Sequence, residues 1–320
     1  DESLPHMVMR PTHYFEQSLA AKLRIPYDYY MRLDNRMKAE NVNYWLEFES
    51  GNKLLRTMAL KNTNEIIARA YLSDRYMIID NYDIMTVVLK VLQESNKHVE
   101  FHRAFISDKM MNVNIIEPHT PYNIGTSEKP DIVYFGMNIQ NSEVGYSAFT
   151  MKYFIYRGIC TNGMIYGGNE LRKVHLGSRY TNDNEWMSNR SRRLQGELLL
   201  SQVRDMTNYV FDDDTKQIMI EKMKEAKGQR INGTPSRIID AYKDVLDLTQ
   251  EEADAAWRIL KAPTRYEIVQ AITQTAQVHE IAPDDKNKTT NAERRLTMEE
   301  KAGDLMFDDK VWDAFLKATE

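Results

Sequence analysis

The sequence predicts an α+β fold: an antiparallel sheet that follows an N-terminal helical pair and precedes a helical second half containing one long helix. Three observations support this class. Apolar and polar residues alternate in short segments between residues 40 and 166, and Gly/Asn turns separate these segments. Apolar residues recur at helical spacing between residues 184 and 280. The 320 residues are 42% hydrophobic and 10% aromatic, which is enough to form a folded core.

The helical pair lies at the start of the chain. Thr12 is placed to cap a first helix in which Leu19 and Leu23 are four residues apart. Pro26 ends that helix and opens a second one that extends to Met37. We therefore expect two short helices before the sheet.

The strands follow, and one helix interrupts them. Asp80-Asn81 is placed to cap this helix, whose apolar residues run from Ile84 to Leu92. A long polar loop surrounds Pro118 to Pro130, and a second loop contains Gly167-Gly168. The predicted strands are Tyr44–Phe48, Leu54–Leu60, Glu65–Leu72, Val99–Ile106, Met110–Ile116, Ile132–Ile139 and Phe149–Ile155.

The second half is predicted to be helical. A long helix begins near Asn184 and carries an apolar stripe that includes Leu194, Leu198 and Val210. Capping signals separate the helices that follow it. These predicted helices run from Asp214 or Thr215 to Ala226, from Pro235 to Leu246, from Thr249 (with Glu252) to Leu260, and from Thr264 (with Glu267) to Val278.

The chain divides into one body, a polar linker and a short tail. The tail is amphipathic and carries Trp312 and Phe315. A helix this short is marginal on its own, so the tail must dock on the body or on a neighbouring subunit. The predicted boundaries are 1–282 for the α+β body (beta-rich at 40–166, helical at 184–280), 283–298 for the linker and 299–320 for the tail.

Charge is unevenly distributed along the chain. Acidic side chains outnumber basic ones by 47 to 42, which gives a formal net charge of −5. Residues 1–150 sum to −3, residues 151–210 to +4 and residues 211–320 to −6. This pattern excludes a uniformly basic DNA-coating protein but allows a local basic groove in the middle segment. A solvated surface is the alternative explanation.

Several protein classes are excluded by what the sequence lacks. No apolar run is long enough to span a bilayer, so we expect no membrane partner. The single cysteine, Cys160, allows no internal disulfide and no thiolate metal cluster, and no signal segment opens the chain, so we expect a reducing cytoplasm. Cys160 precedes an Asn162-Gly163 turn with no histidine nearby, which favours a buried small hydrophobe over a nucleophile. Glycine-rich phosphate loops are missing, and we expect no cofactor.

Possible metal ligands have simpler explanations. His98 and His102 are four residues apart in a predicted strand, about 13 Å along it, which is too far for them to share a metal ion. Asp74, Asp80 and Asp83 resemble the carboxylate supply of a two-metal nuclease. Helix capping and turn formation explain these three residues more simply. We therefore assign no catalytic residue and no metal ligand.

A basic and aromatic stretch between residues 152 and 193 is the strongest functional signal. Lysine and arginine contact phosphates, and tyrosine rings stack on unpaired bases, as in sequence-tolerant single-strand binders. Strand alternation places Lys152 and Tyr156 on the face opposite Tyr153, so only one set can face solvent, and some of these tyrosines could equally lie in the core. The predicted nucleic-acid-binding residues are Lys152, Tyr156, Arg157, Arg172, Lys173, Arg179, Tyr180, Arg190, Arg192 and Arg193.

Four ordered motifs and a closing one resemble a known family. The chain is similar, over residues 14–280, to the phage/plasmid-like protein family known as domain of unknown function 932. A structural explanation also exists: the Asn/Ser/Gly motifs can form turns, and Arg75 and Glu143 can form a buried pair. The motifs are Asn41-Val42-Asn43-Tyr44-Trp45-Leu46; Leu72-Ser73-Asp74-Arg75-Tyr76 with Ile79-Asp80-Asn81; Asn141-Ser142-Glu143-Val144-Gly145; Tyr156-Arg157-Gly158-Ile159-Cys160-Thr161-Asn162-Gly163-Met164; and Ala271-Ile272-Thr273.

The resemblance implies a protein carried by phages, prophages and conjugative plasmids. Such elements carry single-strand annealing recombinases of the Red-beta and Erf type, which are oligomeric and use no nucleotide cofactor. We therefore expect a non-enzymatic, homo-oligomeric protein that binds and anneals single-stranded DNA in recombination or replication, in the cytoplasm of a bacterial host. Two alternatives remain: an interaction module for host defence or replication control that docks through the Trp312 tail, and a metal-dependent nuclease that uses Asp74, Asp80 or Glu143. The resemblance supplies no catalytic residues.

Overall fold

A computed structural model describes residues 8–63, 65–74, 76–158, 162–173, 189–278 and 291–320, without the side chains of residues 169, 170, 173 and 189–192. Helices and strands are mixed along the chain, which confirms the α+β class. The strands are β1 Met9–Pro11, β2 Lys53–Ala59, β3 Ile66–Ser73, β4 Glu100–Ile106, β5 Met111–Ile116, β6 Tyr122–Asn123, β7 Ile132–Asn141, β8 Phe149–Arg157 and β9 Asn162–Lys173. The helices are α1 His13–Lys22, α2 Tyr27–Arg32, α3 Asn35–Leu46, α4 Asn81–Glu94, α5 Asn189–Val210, α6 Asp213–Ala226, α7 Pro235–Leu246, α8 Gln250–Ile259, α9 Arg265–Val278, α10 Asn291–Phe307 and α11 Asp309–Thr319.

The strands form two sheets. The small sheet has the order β1-β3-β2, and in it β1 runs parallel to β3. The large sheet has the order β4-β5-β7-β8-β9, is antiparallel throughout, and has β6 attached to β7. The small sheet and helices α1–α3 are called the N-terminal module below, and the large sheet with helices α4–α11 is called the body.

The start of the chain confirms one helix and corrects the next segment. The Thr12 side chain accepts a hydrogen bond from the Phe15 N–H at 3.0 Å and caps α1 as predicted. The second helix ends at Arg32, and Asp34 then caps a third helix, α3, that was not predicted. The strand predicted at Tyr44–Phe48 is therefore wrong. Two helically spaced residues, Val42 and Leu46, pack on the module core, and this contact decides the local structure over the short alternation.

Strand β9 corrects a second prediction. The sequence predicts a turn at Asn162-Gly163 and a loop around Gly167-Gly168 that includes Arg172 and Lys173, but all of these residues belong to β9. Residues 162–166 and 171–173 pair with β8, and the register shifts between Met151 and Tyr153, so that residues 167–170 form an irregularity within the strand. Met164 and Ile165 are buried in this strand. Residues 174–188 lie outside the described part of the chain.

The helical half is largely as predicted, with small shifts in its caps. Asp212, not Asp214 or Thr215, caps α6. Thr249 and Glu252 form the predicted capping box at the start of α8, with hydrogen bonds of 3.2 and 2.8 Å. On α5 the inner part of the stripe, from Leu199 to Val210, is buried, whereas Leu194 and Leu198 are exposed.

The linker prediction is wrong where the structure describes it. Residues 291–298 form the first half of α10, because Leu296 and Met298 are buried against the body. Residues 283–290 lie outside the described residues. The tail docks on the body of the same chain, where Trp312 is 6% exposed and Phe315 is fully buried. The sequence predicts that the tail docks on the body or on a neighbouring subunit, and in this structure it docks on the body.

Helices cover both faces of the large sheet. One face is apolar and packs on α4 and α5, whereas the other carries a polar row of Asn114, Asn138 and Lys152 in register. Helix α10 lies over the β9 end of this second face, so close that a Cβ on Gly303 would collide with the Ile165 carbonyl oxygen. In the described part of the chain, none of the helices has the length and apolar character needed to cross a membrane.

Candidate functional site

A cleft of about 390 Å³ separates the N-terminal module from the loop between β7 and β8. We call it the tyrosine cleft. A cavity of this size lies within the range of small-ligand sites. It is lined by four tyrosines and two cations, namely Tyr14, Tyr71, Tyr76, Tyr146, Lys22 and Arg172.

Helix α1 positions one wall of the cleft. Tyr14, Ser18 and Lys22 follow one another at four-residue spacing, so they share one face of the helix. The cap at Thr12 fixes where this helix begins, and therefore which residues face the cleft. Strand β3 supplies Tyr71 beside this wall.

The loop from Ser142 to Ala148 forms the opposite wall. The Ser142 hydroxyl donates to the Lys109 carbonyl oxygen at 2.7 Å and accepts from the Tyr146 N–H at 2.9 Å. Gly145 has φ +78°, and a Cβ there would lie 3.1 Å from the Leu72 side chain. This backbone conformation favours glycine, which confirms the turn role predicted for part of the motif.

Glu143 connects the two walls. Its carboxylate accepts from Arg69 of β3 at 2.5 Å and from the Asn81 N–H at 2.9 Å. Burial opposes ionisation of Glu143, but the hydrogen bonds from Arg69 and Asn81 outweigh it and lower its pKa below the ordinary value of 4.5. Arg75, the partner suggested by the sequence, lies outside the described residues. The Tyr76 hydroxyl also donates to the Ser142 carbonyl oxygen at 2.8 Å.

The cleft tyrosines are neutral phenols at physiological pH. Burial raises the pKa of Tyr14 to about 12, and nearby Tyr146 and Asp108 add to the shift. Burial also raises the pKa of Tyr76. The rings of Tyr14 and Tyr146 meet edge to face, with centroids 5.7 Å apart. They therefore present aromatic rings and carry no negative charge.

Two cations and one hydroxyl in the cleft have unused binding capacity. Within the described residues, neither Lys22 nor Arg172 has an ion-pair partner, and both side chains are exposed. The buried Ser147 Oγ likewise has no hydrogen-bond partner among the described atoms. Such a site can hold a flat ring against tyrosine and an anion against the cations.

Three of the predicted binding residues face the interior instead. Lys152 donates to Glu300 of α10 at 3.0 Å, and Arg157 donates to Asp131 at 2.7 Å. The Tyr156 ring packs on His102 with centroids 4.1 Å apart. The two charges are thus neutralised inside the fold, and the structure does not bring these residues to the cleft.

Of the remaining predicted residues, the structure places only Arg172 at the cleft. Arg172 is exposed on β9 at the cleft itself. The Arg193 side chain is 80% exposed near the start of α5 and pairs with Glu197 at 3.2 Å. Lys173 lies on β9, and Arg190 and Arg192 lie on α5, but their side chains are outside the described part. Arg179 and Tyr180 are outside it altogether.

Asp131 organises a buried network that explains the role of Arg157. Its carboxylate accepts from Arg157, from Lys227 at 2.9 Å and from the Tyr266 hydroxyl at 2.8 Å. On the same side, the Asn162 side chain donates to Thr273 at 2.6 Å. The fourth motif and the closing motif therefore meet across β8, β9 and α9, where they hold the helix on the sheet.

The carboxylates considered for a nuclease have basic or polar partners. Asp80 accepts from Arg56 at 2.5 Å, Asp74 accepts from Ser73 at 3.2 Å, and Glu143 accepts from Arg69. No group of three or more potential metal-ligating side chains occurs among the described residues.

Sequence reasoning found Arg172 but missed Lys22, Tyr14, Tyr146 and Ser147. A usable signal was present, because the motifs that include Leu72 and Gly145 both contribute residues to the cleft. These motifs were interpreted as separate turns, and nothing in the sequence showed that they meet across one cavity.

The fold and the cleft together define an α+β protein with a cleft, lined by tyrosines and two cations, between a small N-terminal module and a larger body. The sequence model of the family described as Domain of unknown function (DUF932) matches residues 70–298. The match covers more than half of the chain, so the chain belongs to this family, as the sequence motifs indicated. No curated protein and no solved structure matches it. The matched region begins in β3 and therefore excludes Tyr14 and Lys22.

Proposed function

We propose that this protein binds and anneals single-stranded DNA without catalysis, in recombination or replication of a phage or other mobile element. In this proposal it works as a homo-oligomer in the cytoplasm of a bacterial host. The observation that carries the proposal is the tyrosine cleft, where Lys22 and Arg172 lie beside tyrosine rings and form no ion pair within the described residues.

The chemistry of the cleft suits an unpaired strand better than a duplex. Tyrosine faces stack on bases only when the bases are unpaired, and stacking accepts any base because every base has a π-face. Lysine and arginine at the rim complement the phosphates that flank such a base. In sequence, Arg172 belongs to the basic segment that ends at Arg193 of α5.

The proposal depends on the cleft and on that segment. Lys152 and Arg157 were part of the sequence prediction, but Glu300 and Asp131 already neutralise them. Arg190, Arg192 and Arg193 remain candidates for phosphate contacts outside the cleft.

Fluorescence anisotropy with a labelled oligothymidylate of about 20 nucleotides tests the proposal. We expect the Lys22→Ala/Arg172→Ala double variant to bind about tenfold to a hundredfold more weakly, because two charge-assisted contacts are lost. The salt dependence should become shallower by roughly 1.4 in the slope of log K against log salt, since each phosphate contact contributes about 0.7. Replacing Arg190, Arg192 and Arg193 together by Ala should make the salt slope shallower still.

The matched control is Lys224→Ala, an exposed cation on α6 away from the cleft. It should leave both the affinity and the salt slope unchanged. Wild-type protein that retains no oligonucleotide at low salt would overturn the proposed function. If the double variant binds DNA as tightly as wild type, the cleft is not the DNA-binding site.

A further inference from the structure

Helix α3 presents an aromatic surface that the proposed cleft does not use. None of its residues is buried. The rings of Tyr44, Trp45 and Phe48 at and just after its C-terminal end contact one another, with centroids 5.2 to 6.1 Å apart. Their exposed fractions are 56%, 43% and 66%. We call these three residues the ring platform.

The helix that carries the platform is held firmly on its other side. Val42 and Leu46 pack on the module core, and Asp34 caps the helix at the Met37 N–H. Lys38 of α3 pairs with Glu16 of α1 at 2.9 Å and lies over the Tyr30 ring. The platform rings are therefore exposed on a helix that is packed against the module, and not on a frayed chain end.

Cations connect the platform to the cleft. Glu49, next to Phe48, pairs with Lys53 at 2.6 Å. Lys22 and Arg24 also act on this carboxylate, and with Lys53 as the main cause they lower the pKa of Glu49. Lys22 lines the tyrosine cleft as well, and Leu46 of α3 and Tyr71 of the cleft pack on the same module core, so the two aromatic sites lie on either side of that core.

Arg24 is held in an unusual backbone conformation beside Lys22. It has φ +58° immediately after α1, in the left-handed region that favours glycine. Hydrogen bonds from the Arg24 N–H to the Ala21 carbonyl oxygen and from the Ile25 N–H to the Ala20 carbonyl oxygen maintain this turn. The exposed Arg24 side chain thus adds a second cation at the edge of the module.

We infer that the ring platform is a second stacking site for the same unpaired strand, which leaves the cleft past Lys22 and Arg24 and lays further bases on Tyr44, Trp45 and Phe48. The inference rests on the proposed function and extends its binding surface to a second site. A polyanionic ligand with flat rings matches both features found here, the exposed ring faces and the cations between them. An apolar protein surface would match only the rings.

Oligonucleotide length separates the two sites. A short oligothymidylate of about four nucleotides can occupy the cleft alone, whereas one of about 20 can reach the platform. We expect Trp45→Ala/Phe48→Ala to bind the long strand about tenfold more weakly and the short strand as well as wild type does. The single variant Trp45→Phe should bind the long strand about as tightly as wild type, because phenylalanine keeps a ring for stacking.

The control is Phe101→Ala, which removes a 55% exposed ring from β4 of the body. It should change the affinity for neither the short nor the long strand. If the platform variant binds the long strand as tightly as wild type, the inference is overturned while the proposed function stands. If the variant instead loses self-association on size exclusion and keeps its DNA affinity, the platform is an interface between copies of this chain, which also overturns the inference. Wild-type protein that binds neither strand means that the proposed function itself has failed.

Discussion

Lys22 and Arg172 at the tyrosine cleft, and Lys152 and Arg157 on strand β8, are cations of the same kinds in two different surroundings. The first two are exposed and form no ion pair in the described part of the chain. The side chains of Lys152 and Arg157 are 16% and 14% exposed, and each donates to a carboxylate. A buried cation without a partner would be costly, so the fold places Glu300 and Asp131 beside them.

This difference shows that local basic charge in a sequence is an ambiguous sign of polyanion binding. A cation that is neutralised inside the fold has little remaining attraction for phosphate, whereas an exposed, unpaired cation keeps it. The two regions should therefore respond in opposite ways to substitution. Substitutions at the internal cations should change stability, and those at the cleft cations should change binding.

The largest effect is expected at Asp131. Asp131→Ala leaves Arg157 and Lys227 without their carboxylate, and breaking a buried pair by removing one partner costs about 3–5 kcal/mol. The carboxylate is 9% exposed, so solvent compensates little for the loss. Denaturant unfolding should show a correspondingly lower free energy of unfolding.

Asp240→Ala is the control for this prediction. Asp240 is 58% exposed and pairs with Lys243 at 3.4 Å, so its loss should change stability by less than about 0.5 kcal/mol. If Asp131→Ala behaved like Asp240→Ala, the buried network would not stabilise the fold and the contrast between the two regions would disappear.

A smaller effect is expected for the pair of variants Lys152→Met and Lys22→Met. Lys152→Met should lower the free energy of unfolding by about 1 kcal/mol, because Glu300 loses its partner in a mostly buried contact. It should leave affinity for single-stranded DNA unchanged. Lys22→Met should do the reverse, weakening DNA binding about threefold to tenfold at wild-type stability.

The free energy of unfolding and the affinity for single-stranded DNA should both be measured for Lys152→Met and for Lys22→Met. Weaker DNA binding by Lys152→Met at unchanged stability would mean that Glu300 releases Lys152 to the ligand. In that case the sequence prediction for Lys152 would be correct, and the assignment of this residue to the interior would fail.

Much of the fold follows from the sequence because its signals are local. The Thr12 cap, the Thr249–Glu252 capping box and the alternation in β7 and β8 each depend on residues a few positions apart. The failures occurred where distant contacts decide the outcome. The segment at 44–48 follows the packing of Val42 on the module core, and the segment at 291–298 is helical because its apolar residues are buried on the body.

The candidate site was harder to predict for the same reason. Glu300 is 148 residues from Lys152, so no local pattern indicates that this lysine is neutralised. Lys22 and Arg172 are likewise distant in sequence, and only the packing of α1 beside the β7–β8 loop brings them to one cleft. Residue composition identified the basic segment, and tertiary structure determined which of its cations are exposed.

The smallest effect concerns Glu143. It pairs with Arg69 in a mostly buried contact, as the internal cations do with their carboxylates, but it lies in the wall of the cleft. Because the folded protein lowers the pKa of Glu143 below 4.5, its contribution to stability is present above that pH and is lost as the pH falls. Glu143→Gln should therefore be less stable than wild type at neutral pH, and the difference in melting temperature should narrow on acidification. Glu197→Gln, which alters an exposed pair with Arg193, should show almost no difference at any pH. A difference for Glu143→Gln that stays constant between about pH 7 and pH 3 would mean that shape, and not ionisation, accounts for the role of Glu143 beside the cleft.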